Sequence, residues 1–205
     1  MNAQAGRNFN ALAAAISATG NAEIQARRDI NLTTSEERYA ESYQYGKKNR
    51  ADMRSATEVG TQIAVGGNLT MLAGQDVSAR AAQVSSMQQL GVGAGRDINV
   101  LAGDSSAYTY NETYDRKKGF LSTKTSHRLR ETELTQAVGT TFGGDTVAML
   151  AGRNMTVVGS NIVGDHDVQI GVGSDLLVLA KDESYKDYQY CLLYTSPSPR
   201  DKRQS

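Results

Sequence analysis

Two histidines, one cysteine and scattered carboxylates are the side chains from which this 205-residue chain could build a reactive or metal-binding centre. His166 stands in Gly164-Asp165-His166-Asp167, a grouping able to hold a metal or pass a proton. No nucleophile accompanies it, and its place at a corner of a short repeat is where polar residues face water. His127, set among Thr, Ser and Arg in an alternating segment, reads the same way. Gly91-Val92-Gly93-Ala94-Gly95 has the look of a dinucleotide loop, but such a loop must open a helix whose N-terminus meets the pyrophosphate, and Asp97-Ile98-Asn99-Val100 reads as another strand. The Gly pairs at 66–67 and 143–144 lack the spacing of calcium-binding rolls. Asp76 and Asp97 are 21 residues apart, as are Asn154 and Asp175, so carboxylates could stack as a carbohydrate-active β-helix enzyme requires. They fall, however, on a signature that every short repeat shares, which is a poor place for an active site. The sequence therefore predicts no catalytic residue, no metal site and no cofactor.

Composition agrees. The chain carries 22 Lys+Arg against 22 Asp+Glu, so no net field draws it to nucleic acid. No apolar run reaches the roughly 18 residues of a membrane span. Met1 is followed by no charged-then-apolar leader, which suggests a cytoplasmic protein or a fragment. Cys191 and both prolines, Pro197 and Pro199, lie near the end, leaving nothing upstream for zinc clusters or disulfides. Cys191 to Asp201 read CLLYTSPSPRD, which resembles the translation of a common sequencing adaptor. Residues 191–205 are accordingly expected to be a non-native, disordered tail, and the remainder is mildly acidic.

The elements that position these residues come from repetition. A short signature, Gly-x-Asn/Asp-apolar-x-apolar, recurs as GRNFNAL from Gly6, GGNLTML from Gly66, GRDINVL from Gly95, GRNMTVV from Gly152 and GSDLLVL from Gly173. Leu69 with Met71, Val77 with Ala79 and Ile98 with Val100 alternate at period 2, which turns one row of side chains inward. Gly and Asn/Asp at the corners are expected to supply the positive φ of sharp turns. A winding of about 21 residues cannot close a core alone, so windings must stack. The expected fold is all-β: a parallel β-helix, or solenoid, of roughly 21-residue coils with Val, Ile, Leu, Met and Ala inside.

A longer period lies over the short one. Leu32–Val100 matches Leu101–Val178, a unit of about 69 and then 78 residues, and a third copy opens at Leu179 and stops at Tyr190. Residues 1–190 thus read as one repeat block with charged insertions at about 33–61 and 104–137. Tyr43, Tyr45, Lys47 and Lys48 mark the first insertion; Tyr108, Tyr110, Tyr114, Arg116, Lys117 and Lys118 mark the second. Each reads as a β-hairpin or extended strands with tyrosines on one face and a basic turn. Tyr and Arg suit interfaces, so these ten residues are the candidate contacts with a partner surface.

AGRDINV, MLAG, the Tyr-rich KKG insertion, SHRLRETELTQAVG and GRNMTVVGSNIVGDHDVQI together resemble the haemagglutinin-repeat region of two-partner-secretion exoproteins, the group of filamentous haemagglutinin adhesins and contact-dependent growth inhibition exoproteins. The resemblance covers residues 5–190. It implies a non-enzymatic filament segment, secreted to the surface of a Gram-negative cell through an outer-membrane β-barrel transporter. Its partners would be that transporter and the surface or outer membrane of a target cell, with no nucleic acid and no small-molecule substrate. Its role would be attachment or delivery of a C-terminal toxin. The alternatives are a carbohydrate-active β-helix enzyme and a passive spacer without binding activity.

Overall fold

The computed structural model describes residues 1–120 and 122–197. Strands and no helix are assigned among them, and the chain divides into two compact units. The first comprises Met1–Glu37, Thr57–Ser105 and Ala137–Asp182; the second comprises Arg38–Ala56, Ser106–Gln136 and the chain from Glu183.

In chain order the strands are β1 (Asn2–Ala5), β2 (Phe9–Leu12), β3 (Ala15–Ala18), β4 (Ala22–Ala26), β5 (Ile30–Thr33), β6 (Ser35–Tyr45), β7 (Asn49–Val59), β8 (Gln62–Val65), β9 (Leu69–Ala73) and β10 (Val77–Arg80). They continue as β11 (Gln83–Ser86), β12 (Gln89–Ala94), β13 (Ile98–Leu101), β14 (Gly103–Lys118), β15 (Ser122–Val138), β16 (Thr141–Ala151), β17 (Met155–Val158), β18 (Asn161–Val172), β19 (Leu176–Leu179) and β20 (Ser184–Pro197). The expected all-β class is observed, and most pairs are parallel.

The first unit holds two parallel sheets. One runs β19-β17-β13-β10-β5-β2; the other joins β1-β4-β9-β12 to β16 and returns through β11-β8-β3, with β18 alongside β16. An offset of 21 residues recurs: Asn2 pairs Glu23, Val77 pairs Ile98 and Met155 pairs Leu176, while β16 and β18 pair at an offset of 20 that shifts to 21 at a bulge between Gly144 and Thr146. Where β6 and β7, or β14 and β15, intervene the offset grows, so that Ile30 pairs Val77 and Ile98 pairs Met155. Ile98 therefore lies 68 positions after its equivalent Ile30, one fewer than the sequence alignment suggests.

Alternation fills the interior. Ile24, Met71, Val92 and Met149 form one row across paired strands; Ile30, Val77, Ile98 and Met155 form another; Ile63, Val84 and Phe142 a third. All are buried, and each aliphatic side chain so covered contributes about 1.5–3 kcal/mol over its exposed state.

The corners work differently from the expectation. The glycines of the short signature do not have positive φ; among the described residues only Ala13, Ala81, Gly46 and Gly159 do. A Cβ on Gly74 would stand 2.2 Å from the Arg27 carbonyl oxygen, and one on Gly95 would stand 2.3 Å from that of Gly74. Glycine is required because consecutive cycles touch there. The Asn/Asp beside it accepts a hydrogen bond from the next cycle's backbone: Asp76 N–H to Asp29 Oδ1 at 3.4 Å, Asp97 N–H to Asp76 at 3.2 Å, Asn154 N–H to Asp97 at 3.2 Å, and Asp175 N–H to Asn154 at 3.4 Å. This ladder satisfies backbone donors left over where the strands end.

The second unit contains a five-stranded sheet ordered β20-β15-β14-β7-β6. β15 and β20 pair antiparallel from Ser122↔Pro197 to Thr135↔Ser184. β20 therefore continues through 191–197, in contrast to the expected disordered tail, because the edge of β15 offers a row of backbone donors and acceptors to any extended segment. Residues 198–205 lie outside the described residues.

Candidate interaction surface

The second unit carries all ten residues singled out as contacts, eight on strands and Lys47 and Lys48 in the turn between β6 and β7, but not in one patch. Ser42 Oγ donates to Asp52 Oδ1 at 2.5 Å, and the Arg50 guanidinium sits 5.8 Å from the Tyr110 ring centre. Even-numbered residues of β6, β7 and β14 therefore share a face, and Tyr108, Tyr110 and Tyr114 are on it together, as alternation demands. Tyr43 and Tyr45, being odd, face the other way and are exposed. The cause is a difference in length before the strand. Leu32 and Val100 are equivalent, since both pair with Ala79; Tyr39 follows the first by seven positions and Tyr110 follows the second by ten. An odd difference inverts every side chain.

The even face is a connected polar row. Tyr110 Oη donates to Glu112 Oε2 at 2.9 Å, and His127 Nε2 lies 2.7 Å from Glu112 Oε1. The imidazole is flanked by the rings of Tyr114 at 5.9 Å and Tyr190 at 5.7 Å. His127 and then Tyr110 hold the Glu112 carboxyl below the usual carboxylate range. Burial first, and Glu112 second, push the Tyr110 phenol up; burial and Glu131 do the same for Tyr108. Ser42 first, with Arg50 assisting against desolvation, holds Asp52 low.

Lys48 reaches this row, its Nζ 4.2 Å from the Tyr114 ring centre, a cation–π contact. Lys47 lies in the exposed turn before β7. Arg116, Lys117 and Lys118 form the exposed end of β14 rather than a turn; the turn is at Gly119, whose N–H donates to the Ser122 carbonyl at 2.7 Å. Lys117 is 3.8 Å from Asp115, an exposed pair of little energetic weight.

Sequence reasoning missed the ionic cluster of the first unit. Arg80 donates to Glu58 at 2.8 Å and to Asp104 at 2.9 Å, and Lys181 Nζ is 2.6 Å from Asp104. Lys181 first, then Arg80, holds Asp104 low against desolvation. The available signal was that Arg80 is one of only four charges between Val59 and Gly103.

The stacked acids hold structural partners. Asp76 receives two hydrogen bonds from Arg96, at 3.1 and 2.6 Å, and Asp97 receives Arg153 at 2.8 Å. Desolvation opposes ionisation of Asp97, but the Asn154 N–H and Arg153 outweigh it and hold the carboxyl low. His166 is exposed and hydrogen-bonded to Asp145, one cycle earlier. Gly91 and Gly93 are interior to β12, which excludes the loop geometry a dinucleotide needs. Among the described residues no group of three or more His, Cys, Asp or Glu is placed to hold a metal.

Comparison with known proteins places this arrangement. The hemagglutinin repeat profile matches residues 41–190. The 16S rRNA endonuclease CdiA of Enterobacter cloacae subsp. cloacae is 42% identical over 170 residues, 83% of this chain and 5% of that protein. The tRNA nuclease CdiA of Escherichia coli strain STEC_O31 is 36% identical over 91% of this chain and 6% of its own length, and the deoxyribonuclease CdiA of Dickeya dadantii is 34% identical over 90% and 6%. The chain thus spans about a twentieth of the length of these curated relatives. No solved structure matches. With the profile covering most of the chain, from within β6 into β20, this protein belongs to the hemagglutinin-repeat family.

Proposed function

We propose that the parallel sheets are a segment of β-helix with 21-residue coils, interrupted by insertions at 33–61 and 104–137, and that the segment is a non-enzymatic stalk of a large secreted exoprotein. Its work is to hold functional parts of the exoprotein at a distance from the producing cell, in attachment or in delivery of a C-terminal toxin. The observation that carries the reading is the corner ladder from Asp29 to Asp175. Asp76 and Asp97, which could have served catalysis, are committed to backbone N–H groups and arginines, so the same feature that stacks the coils removes them from chemistry.

The relatives support the placement. Three proteins named for action on 16S rRNA, tRNA and DNA share this stretch at 34–42% identity. A region common to three nucleic-acid substrates does not choose among them. The partners on this reading are an outer-membrane β-barrel transporter and the surface of a target cell, and the location is the surface of a Gram-negative bacterium. Residues 191–205, on the same reading, derive from an adaptor.

The test replaces the matched 170 residues of the Enterobacter cloacae relative with this chain's equivalent. Export and inhibition of target cells should be retained, whereas deleting the stretch should abolish inhibition and leave nuclease activity in lysates unchanged. Hydrolysis of a polysaccharide by the purified chain, lost on Asp97→Asn, would overturn the reading in favour of an enzyme. Changing Tyr108, Tyr110 and Tyr114 to Ser separates a contact surface from a passive spacer, because only the former loses attachment or delivery.

A further inference from the structure

Each insertion sends one strand out and one back, and the second-unit sheet joins them alternately: β6 out, β7 back, β14 out, β15 back, β20 out. β14 has two neighbours, β15 of its own hairpin and β7, the returning strand of the insertion before. β20 repeats the second kind of contact by pairing with β15. Among the described residues, β6 is the outgoing strand whose far edge carries no returning strand.

What a returning strand contributes is visible where β7 meets β14. The Lys48 ammonium stands over Tyr114, Arg50 stands beside Tyr110, and Asn49 Oδ1 accepts from the Tyr114 N–H at 2.6 Å. Tyr39-x-Glu41-x-Tyr43 on β6 repeats Tyr110-x-Glu112-x-Tyr114, including the hydrogen bond from the first tyrosine to the glutamate. Yet Tyr39 and Tyr43 are 52% and 54% exposed, whereas Tyr110 and Tyr114 are half-buried. Main-chain hydrogen bonds carry strand addition, and side chains select the partner.

We propose that the open edge of β6 is a strand-acceptor site for the returning strand of another insertion of this repeat type, an extended segment opening with Lys-Asn-Arg whose cations lie over Tyr39 and Tyr43. The site does not depend on whether the segment serves attachment or delivery. A fluorescent peptide with the sequence of residues 47–59 should bind the full 205-residue chain saturably in an anisotropy titration. A peptide with alanine at the positions of Lys48, Asn49 and Arg50 should bind at least tenfold more weakly, as should wild-type peptide to a Tyr39→Ser, Tyr43→Ser chain of unchanged far-UV spectrum. Binding no tighter than that of a scrambled peptide overturns the proposal. So does undiminished binding to the double serine chain. Should that chain lose its far-UV signal, a photo-crosslinker at the Arg50 position of the peptide decides: adducts on β6 without any on β14 support the site, and adducts on β14 or β20 overturn it.

Discussion

Replacing Gly95 by alanine tests why the corner glycine is there. An ideal Cβ at this position meets the Gly74 carbonyl oxygen at 2.3 Å and its carbon at 3.1 Å. An ordinary carbon–oxygen contact needs about 1 Å more, so the cycles must part locally. The bonds nearest the strain are Gly95 N–H to Ala73 O at 3.0 Å, Arg96 N–H to Gln75 O at 2.8 Å and Gly152 N–H to Ala94 O at 3.0 Å. Overpacking costs about 1–3 kcal/mol and each weakened hydrogen bond about 0.5–1.5 kcal/mol. Against this, alanine stiffens the unfolded chain, a gain of about 0.4–1 kcal/mol. With one of the three bonds weakened the net loss is about 0.5–4 kcal/mol, which lowers the far-UV melting midpoint by roughly 1–16 °C for a chain of this size. Gly6 holds the same place in the first signature but has nothing within 4 Å of its would-be Cβ. Gly6→Ala should therefore leave the midpoint unchanged or raise it. Equal shifts of the same sign in the two variants would refute the close-approach argument.

Met71→Ala, fully buried between Ile24 and Val92, should cost about 2–5 kcal/mol in urea titration, while Leu72→Ala on the outer face should cost under about 1 kcal/mol; a reversed order would sink the alternation. Thr140→Val should cost about 1–3 kcal/mol, since the hydroxyl accepts from Ala82 N–H at 3.0 Å and donates to the Leu101 carbonyl at 2.7 Å; the carbonyl keeps the Ala81 N–H at 3.1 Å, but the Ala82 N–H loses its acceptor. A neutral result in the same titration would mean that water or a shifted backbone replaces the hydroxyl. Asp104 titrates below its ordinary range when folded, so its contribution is complete above about pH 3.9 and is lost as pH falls through the lowered value. Asp104→Asn should flatten that part of the acid-denaturation curve, and an unchanged acid limb would place the linkage elsewhere.

The interior was readable before any coordinates because Leu69, Met71, Val77 and Ala79 alternate with polar or small residues, and period 2 has one physical meaning. The corners were readable as places but not as mechanisms. Gly95 and Asp97 mark a bend in sequence, whereas the forces acting on them come from Gly74 and Asn154, which are neighbours only after stacking. The Tyr-rich stretches were readable as long strands, and Tyr108, Tyr110 and Tyr114 do share a face. That Tyr43 and Tyr45 point the opposite way depends on the count of residues from the last paired position, which requires the register. The Arg80 cluster draws Glu58, Asp104 and Lys181 from three separate stretches, and no local pattern announces such a meeting.

Insertions leave between β5 and β8 and again between β13 and β16, while the cycles between them turn directly at Ala13, Ala81 and Gly159 with φ of 44°, 46° and 54°. The stretch from β6 to β13 thus adds two strands, β10 and β13, to one parallel sheet, two to each limb of the other, β9 and β12 on one side and β8 and β11 on the other, and two to the antiparallel sheet. With strands spaced about 4.8 Å apart, each limb of the parallel sheets grows by roughly 9.6 Å per repeat, so duplicating a repeat lays every new interior row on an equivalent one and leaves the length of the column open.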